Sequence, residues 1–252
     1  MREAVRIGYR HIDTAQAYGT ERGVGEGVRP AAIPREEIFV TTKLAAEAKD
    51  YKSAVDAIDE SLVKAGLDYF DLMLIHSPQP WMEWREGSFS EGNLEAWRAL
   101  EDAYKAGKLK SIGVAKCEQA DIDNILGGCT VAPMVNQILA HISNTPEELI
   151  EYSQAKGMVV EGYSPIAHGV ILDNPEVMAM AEKYGVSVAQ LCIRYVLQLG
   201  CVALPKTSNP DHMKSNADVD FEISSADMDA LKAFKPIEDY GQFSMFPVFS
   251  GK

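Results

Sequence analysis

Asp13, Tyr18, Lys43 and His76 are four side chains that could together place a proton on a carbonyl oxygen. A phenol with its ordinary pKa of about 10 gives up a proton reluctantly at neutral pH. A neighbouring ammonium stabilises the phenolate and lowers that pKa, and Lys43 is the candidate for it. Asp13 would pair with Lys43, so that its charge is tolerated in a partly buried place. His76 could donate a hydrogen bond to the carbonyl oxygen and orient it. Such a set suits hydride reduction of a small carbonyl, with Tyr18 as the acid. Taken singly, each residue has a plainer reading: Tyr18 as a surface aromatic, His76 as a loop histidine before Ser77 and Pro78, and Asp13 with Lys43 as a structural ion pair.

For the four to meet, the chain must bring distant strand ends together. Short apolar runs at 9–13, 38–43, 70–76, 109–115, 134–138, 158–164 and 202–206 read as strands. Between them, amphipathic stretches at 51–65, 94–106, 118–126, 146–156 and 175–184 read as helices, with Gly66, Gly107, Gly157 and Gly185 placed to end them. The alternation runs through residues 1–252 without a linker or a composition shift, which predicts one parallel-sheet domain. Asp13, Lys43, His76, Lys116, Gln137, Tyr163 and Lys206 lie at or just past the C-terminal ends of those strands. In a closed (β/α)8 TIM barrel these ends share one mouth, whereas in an open sheet they are strung along a line, so the barrel is the expectation. The glycine-rich run at 23–30 imitates a dinucleotide fingerprint, but Pro30 stands where the third glycine belongs and no strand ends just before it. That run reads as part of a helix and its end.

Composition narrows the function classes. The 252 residues carry a net charge of -13, which argues against nucleic-acid and anionic-membrane partners. Hydrophobic residues make up 46% and charged residues 24%, the balance of an ordinary folded protein. Cys117, Cys129, Cys192 and Cys201 form no C-x-x-C pair, and His11, His76, His141, His168 and His212 show no ligand spacing. Reduced thiols and no metal are therefore expected. The first residues lack an apolar signal region and the apolar runs are strand-sized, so a cytoplasmic monomer or weak oligomer is expected.

Longer motifs sharpen this reading. GYRHIDTAQAYGTE at 8–21, TTKL at 41–44 and LMLIHSP at 72–78 resemble, in order, signatures of the aldo-keto reductases. The resemblance implies that Asp13, Tyr18, Lys43 and His76 are the catalytic set. It extends over essentially the whole chain. VNQI at 135–138 implies that Gln137 binds a nicotinamide carboxamide, and EGYSPIAHG at 161–169 places Tyr163 against the nicotinamide with Ser164 near the pyrophosphate. LPKTSNPDHMKSN at 204–216 resembles the segment that holds the adenosine phosphate, implicating Lys206, Thr207, His212 and Asn216. The cofactor implied is NADPH, with NADH as an alternative, and the substrate is a small aldehyde or ketone. Trp81 and Trp84 in the loop after His76, and the closing aromatics Phe243, Phe246 and Phe249, are candidates to wall the substrate pocket, Trp81, Trp84 and Phe246 foremost.

The sequence departs from the family pattern in three places. Ala115 and Lys116 stand where the family usually has a Ser-Asn pair that hydrogen-bonds the nicotinamide carboxamide, so part of that clamp is missing and Lys116 either reaches a different group or points away. His212 occupies a position where many members carry an arginine, which loosens the preference for NADPH, although Lys206 still offers a charge suited to phosphate. Only MREAVRI precedes the first expected strand, so the barrel is expected to lack its first strand and most of its first helix. Two other readings stay open. One is a cofactor-binding regulatory or inactive relative on the same fold. The other is a barrel aldolase or isomerase in which Lys43 or Lys206 forms a Schiff base or grips a phosphate.

Overall fold

Apolar runs bounded by turn residues form the strands, and the amphipathic stretches between them wind into helices. In the computed structural model, which describes residues 1–30, 32–83, 87–238 and 240, the chain falls into two compact units, Met1–Asn136 and Gln137–Lys252. The first holds α1 (Arg2–Ile7), β1 (His11–Asp13), α2 (Glu21–Val28), β2 (Phe39–Leu44), α3 (Tyr51–Ala65), β3 (Leu72–Ile75), α4 (Ser90–Lys105), β4 (Ile112–Ala115) and α5 (Gln119–Gly128). Strand β5 (Val135–Leu139) runs across the boundary. The second unit continues with α6 (Glu147–Ala155), β6 (Val159–Tyr163), α7 (Pro175–Lys183), α8 (Val188–Gln198), β7 (Val202–Leu204), α9 (Pro210–Ala217) and α10 (Ser225–Lys232).

All seven strands among the described residues fall where the apolar runs predict them, trimmed or shifted by a few residues at the ends. Within the first unit β1, β2, β3 and β4 pair in chain order and in parallel, with Asp13 opposite Thr41, Lys43 opposite Leu74 and Ile75 opposite Val114. In the second, β6 pairs in parallel with β7, Tyr163 lying opposite Leu204. Every residue of β3 and β4 is buried, as expected of parallel strands covered on both faces. Helix α3 shows how local sequence sets an element. Asp50 caps its N-terminus by accepting from the Ser53 amide, Ala54, Ile58, Ser61 and Ala65 form the buried face, and Gly66 ends it in the left-handed conformation at φ 60°.

The glycine-rich run is indeed helical, forming most of α2. A Cβ built on Gly25 would fall on the Ala65 carbonyl at the end of α3, and the Arg29 guanidinium donates to that same carbonyl. The glycine therefore serves helix packing and not phosphate binding. Gly25→Ala should lower stability by about 1–3 kcal/mol, read as a fall in urea midpoint at unchanged m-value. A midpoint equal to that of the parent protein would mean that α2 shifts freely against α3.

The core of the second unit gathers Ile138, Leu139, Val160, Leu191, Tyr195, Val196 and Ile223. Packed among them is His141, 1% exposed, whose Nδ1 lies 3.0 Å from the Ser143 hydroxyl and whose Nε2 has no partner among the described residues. Burial, helped by His168, holds its pKa down to about 3. A histidine that stays neutral in the folded state takes its proton on unfolding. The stability it permits is thus complete above the unfolded pKa of about 6.5 and is lost as pH falls below it, at up to ~1.4 kcal/mol per pH unit. Between about pH 7.5 and pH 5 the urea midpoint of the parent protein should fall more steeply than that of His141→Phe. Parallel falls would remove His141 as a source of acid sensitivity.

Candidate active site

Asp13 ends β1, and Lys43 lies two residues beyond Asp13's partner Thr41 on β2, so the pleat sets both on one face. Lys43 is fully buried. Its ammonium donates to the Asp13 carboxylate at 2.5 Å and to the Thr14 carbonyl at 3.0 Å, bonds that offset the cost of removing the charge from water. The same nitrogen lies 5.1 Å from the centre of the Tyr18 ring. Tyr18 is 52% exposed at the end of a 3-10 turn (Gln16–Tyr18), and Gly19 turns the chain away at φ 65°.

Gln16 fixes this turn. Its carbonyl oxygen accepts from the Ala45 amide at 2.7 Å, and its Nε2 donates to the Ala57 carbonyl at 2.9 Å and the Ser61 hydroxyl at 2.8 Å. The Thr14 and Thr20 hydroxyls bond across the turn at 2.8 Å, and buried Glu21 accepts from the Thr42 hydroxyl at 2.6 Å. Tyr18 is thereby presented to solvent from an anchored backbone.

His76, one residue beyond β3, is 3% exposed and donates its backbone amide to the Leu44 carbonyl at 3.2 Å. Its ring stands edge-on to Tyr18 at 5.6 Å and to Trp81 at 4.9 Å between centroids. Its Nδ1 is buried with no partner among the described residues. Burial, then the charges of Lys116 and Lys43, hold its pKa well below the ordinary imidazole value. The ring is therefore neutral, with one N–H to donate. Lys49 supports the following loop by donating to the Ser77 carbonyl and to Asn93 Oδ1, both at 2.8 Å, while Asn93 donates to the Pro78 carbonyl at 2.8 Å.

Lys116, whose direction the sequence leaves open, points into this group. It follows β4 with a left-handed φ of 58°, is 8% exposed, and sets its ammonium 5.1 Å from the centre of the Trp81 ring. Asn136 holds the next peptide by donating to the Cys117 carbonyl at 3.1 Å. Burial and then Lys43 push the Lys116 pKa down to about 7, with Asp13 and Cys117 acting against them.

The other expected residues lie in the second unit. Gln137 on β5 donates to Glu161 on β6 at 2.8 Å, both side chains being buried. Tyr163 ends β6, and the segment beyond it is bent through three left-handed non-glycine residues, Ser164, Ala167 and His168. Lys206 and His212 are exposed and Thr207 half-buried around the start of α9, where Asn209 caps the helix by accepting from the Asp211 amide. The first turn of α9 carries Asp211 beside His212, and Lys206 precedes it in the chain. Asn216 is buried further along α9. The structure thus brings Asp13, Tyr18, Lys43, His76 and Trp81 together, while Lys206 and Thr207 precede α9 and His212 lies within its first turn. Trp84, Phe243, Phe246 and Phe249 lie outside the described residues.

Sequence reasoning missed Gln16, Glu21, Lys49 and the direction of Lys116. Nothing local marks the first three, because their partners lie between 21 and 45 residues away in the chain. A lysine among strand-end groups was the available signal for the fourth.

Comparison with known proteins identifies the family. The model of the aldo/keto reductase family matches residues 1–236. A glyoxal reductase of Bacillus subtilis is 38% identical over 242 residues, covering 96% of this chain and 84% of its own. An uncharacterized oxidoreductase, YtbE, of the same organism is 40% identical over 238 residues, covering 92% and 81%. Among solved structures, an aldo/keto reductase from Brucella melitensis superimposes with a TM-score of 0.85 at 38% identity, over 92% of this chain and 85% of its own. A Bombyx mori aldo-keto reductase in complex with NADP does so with a TM-score of 0.84 at 33% identity, over 98% and 86%. The fold is the (β/α)8 fold of these reductases, with seven of its strands among the described residues. No helix among those residues is long and apolar enough to cross a membrane. The chain belongs to the aldo/keto reductase family and is an oxidoreductase.

Proposed function

We propose that the protein reduces small aldehydes or ketones to alcohols with NADPH, Tyr18 serving as the general acid. The observation that carries this reading is the Lys43 ammonium, buried against Asp13 and facing the Tyr18 ring. A fixed positive charge there stabilises a phenolate, which is what a phenol needs in order to act as an acid near neutral pH. Similarity to a glyoxal reductase supports a small, reactive carbonyl as substrate.

The reduced nicotinamide, when bound, supplies a hydride to the carbonyl carbon. As the C=O electron pair moves onto oxygen, Tyr18 gives that oxygen its proton, and Lys43 stabilises the phenolate left behind. Asp13 keeps Lys43 in place, and neutral His76 donates a hydrogen bond that orients the carbonyl. Trp81 offers an apolar wall beside His76. In the second unit, Gln137, Tyr163 and Ser164 are the residues to hold the nicotinamide and pyrophosphate, and Lys206, Thr207, His212 and Asn216 the adenosine phosphate. The exposed Lys206, a point charge suited to a phosphate, supports NADPH, with NADH as an alternative.

Tyr18→Phe should lower kcat by at least ~100-fold, the usual range for loss of a general acid, while fluorescence titration shows NADPH affinity within about twofold of the parent protein. Lys43→Met should produce the same split. If Tyr18→Phe keeps most of its turnover with a reactive aldehyde, another group supplies the proton.

A further inference from the structure

Lys116 combines three costs that a merely structural residue would avoid. It is a cation with 8% exposure, it takes a left-handed backbone at φ 58°, and it lies close enough to Lys43 for that charge to bear on it. Non-glycine residues rarely adopt that conformation, and such strain persists where the surroundings hold it. Here the Asn136 bond to the Cys117 carbonyl and the face of Trp81 hold it. Trp81 touches both Lys116 and His76, so the ammonium stands beside the place where His76 would orient a carbonyl. The charges of Lys43 and Lys116 both bear on His76, which makes its surroundings favourable to an anion.

We propose that Lys116 determines specificity: its ammonium receives a carboxylate carried next to the reacting carbonyl, so that 2-oxo acids are the favoured substrates and leave as 2-hydroxy acids. The inference rests on the reading of Tyr18 and His76 as the carbonyl site. The chemistry is that of the proposed reaction, with hydride added at the carbonyl carbon, a proton at its oxygen, and the reduced nicotinamide oxidised. Lys116 takes no part in the transfer. It binds the group that does not react, where a charge-assisted bond is stronger than a neutral one.

The test compares phenylglyoxylate with its methyl ester, which differ in the charge beside the same ketone, using the full chain and NADPH. Lys116→Met should lower kcat/KM for the acid by about tenfold or more relative to the ester, as expected for loss of a hydrogen bond to a charged group, and Lys116→Arg should restore part of the preference. The parent protein supplies an independent readout. The groups facing Lys116 are Asp13 on β1, Lys43 on β2, Cys117 beside it and His76 after β3. Both substrates would meet the same proton donor, so the acid-to-ester ratio follows the Lys116 charge and should fall as pH rises from about 6 to about 9. A ratio within about twofold of the parent's in Lys116→Met overturns the inference, as does a ratio in the parent protein that does not change with pH should that variant fail to fold. If the ester is reduced in a Tyr18-dependent way, such a result leaves the proposed function standing. If the parent protein reduces no carbonyl at all, both readings fall together.

Discussion

A lysine with no exposed surface can keep its charge only if something nearby compensates it, and in this protein that compensation organises the site. Lys43 is held between the Asp13 carboxylate and the Thr14 carbonyl. Removing the carboxylate would strand a buried cation, and removing the lysine would leave the carboxylate without its ammonium partner. The parallel pairing of β1 and β2 supplies the register that lets the two meet. Burial of β3 and β4 on both faces supplies the rigid backing from which His76 and Lys116 project.

Around that ion pair, neutral hydrogen bonds supply position and the charges set protonation. Gln16 ties the Tyr18 turn to β2 and α3, so the phenol stays anchored although it is exposed. His76 has the opposite arrangement: it is edge-on to two aromatic rings and buried, and that burial, then the charges of Lys116 and Lys43, holds its pKa down. A neutral imidazole can donate a hydrogen bond to a carbonyl without competing for the proton that Tyr18 carries.

What the sequence reveals of this depends on whether its cause is local. The bounds of α3 are legible because the capping aspartate, the helical spacing of small and apolar residues and the closing glycine all lie within the element. Helix α8 likewise carries its start signal within itself, a capping box in which Ser187 and Gln190 each bond the other's backbone amide. The pairing of Asp13 with Lys43 can be anticipated from two strand ends, whereas the bonds of Gln16 cannot, since they depend on tertiary neighbours. Lys116 shows the same limit at the level of one torsion. Its side chain turns inward through a left-handed backbone that no residue in GVAKC announces.

The residues that would choose and protonate the substrate lie before position 137, in one compact unit, and the candidates for gripping the cofactor lie from Gln137 onward, in the other. Point changes around His76 and Trp81 can therefore accumulate without altering the side chains from Gln137 onward that would bind the nucleotide. A lineage built in this way could diversify in the carbonyls it accepts while drawing on an unchanged supply of reducing equivalents.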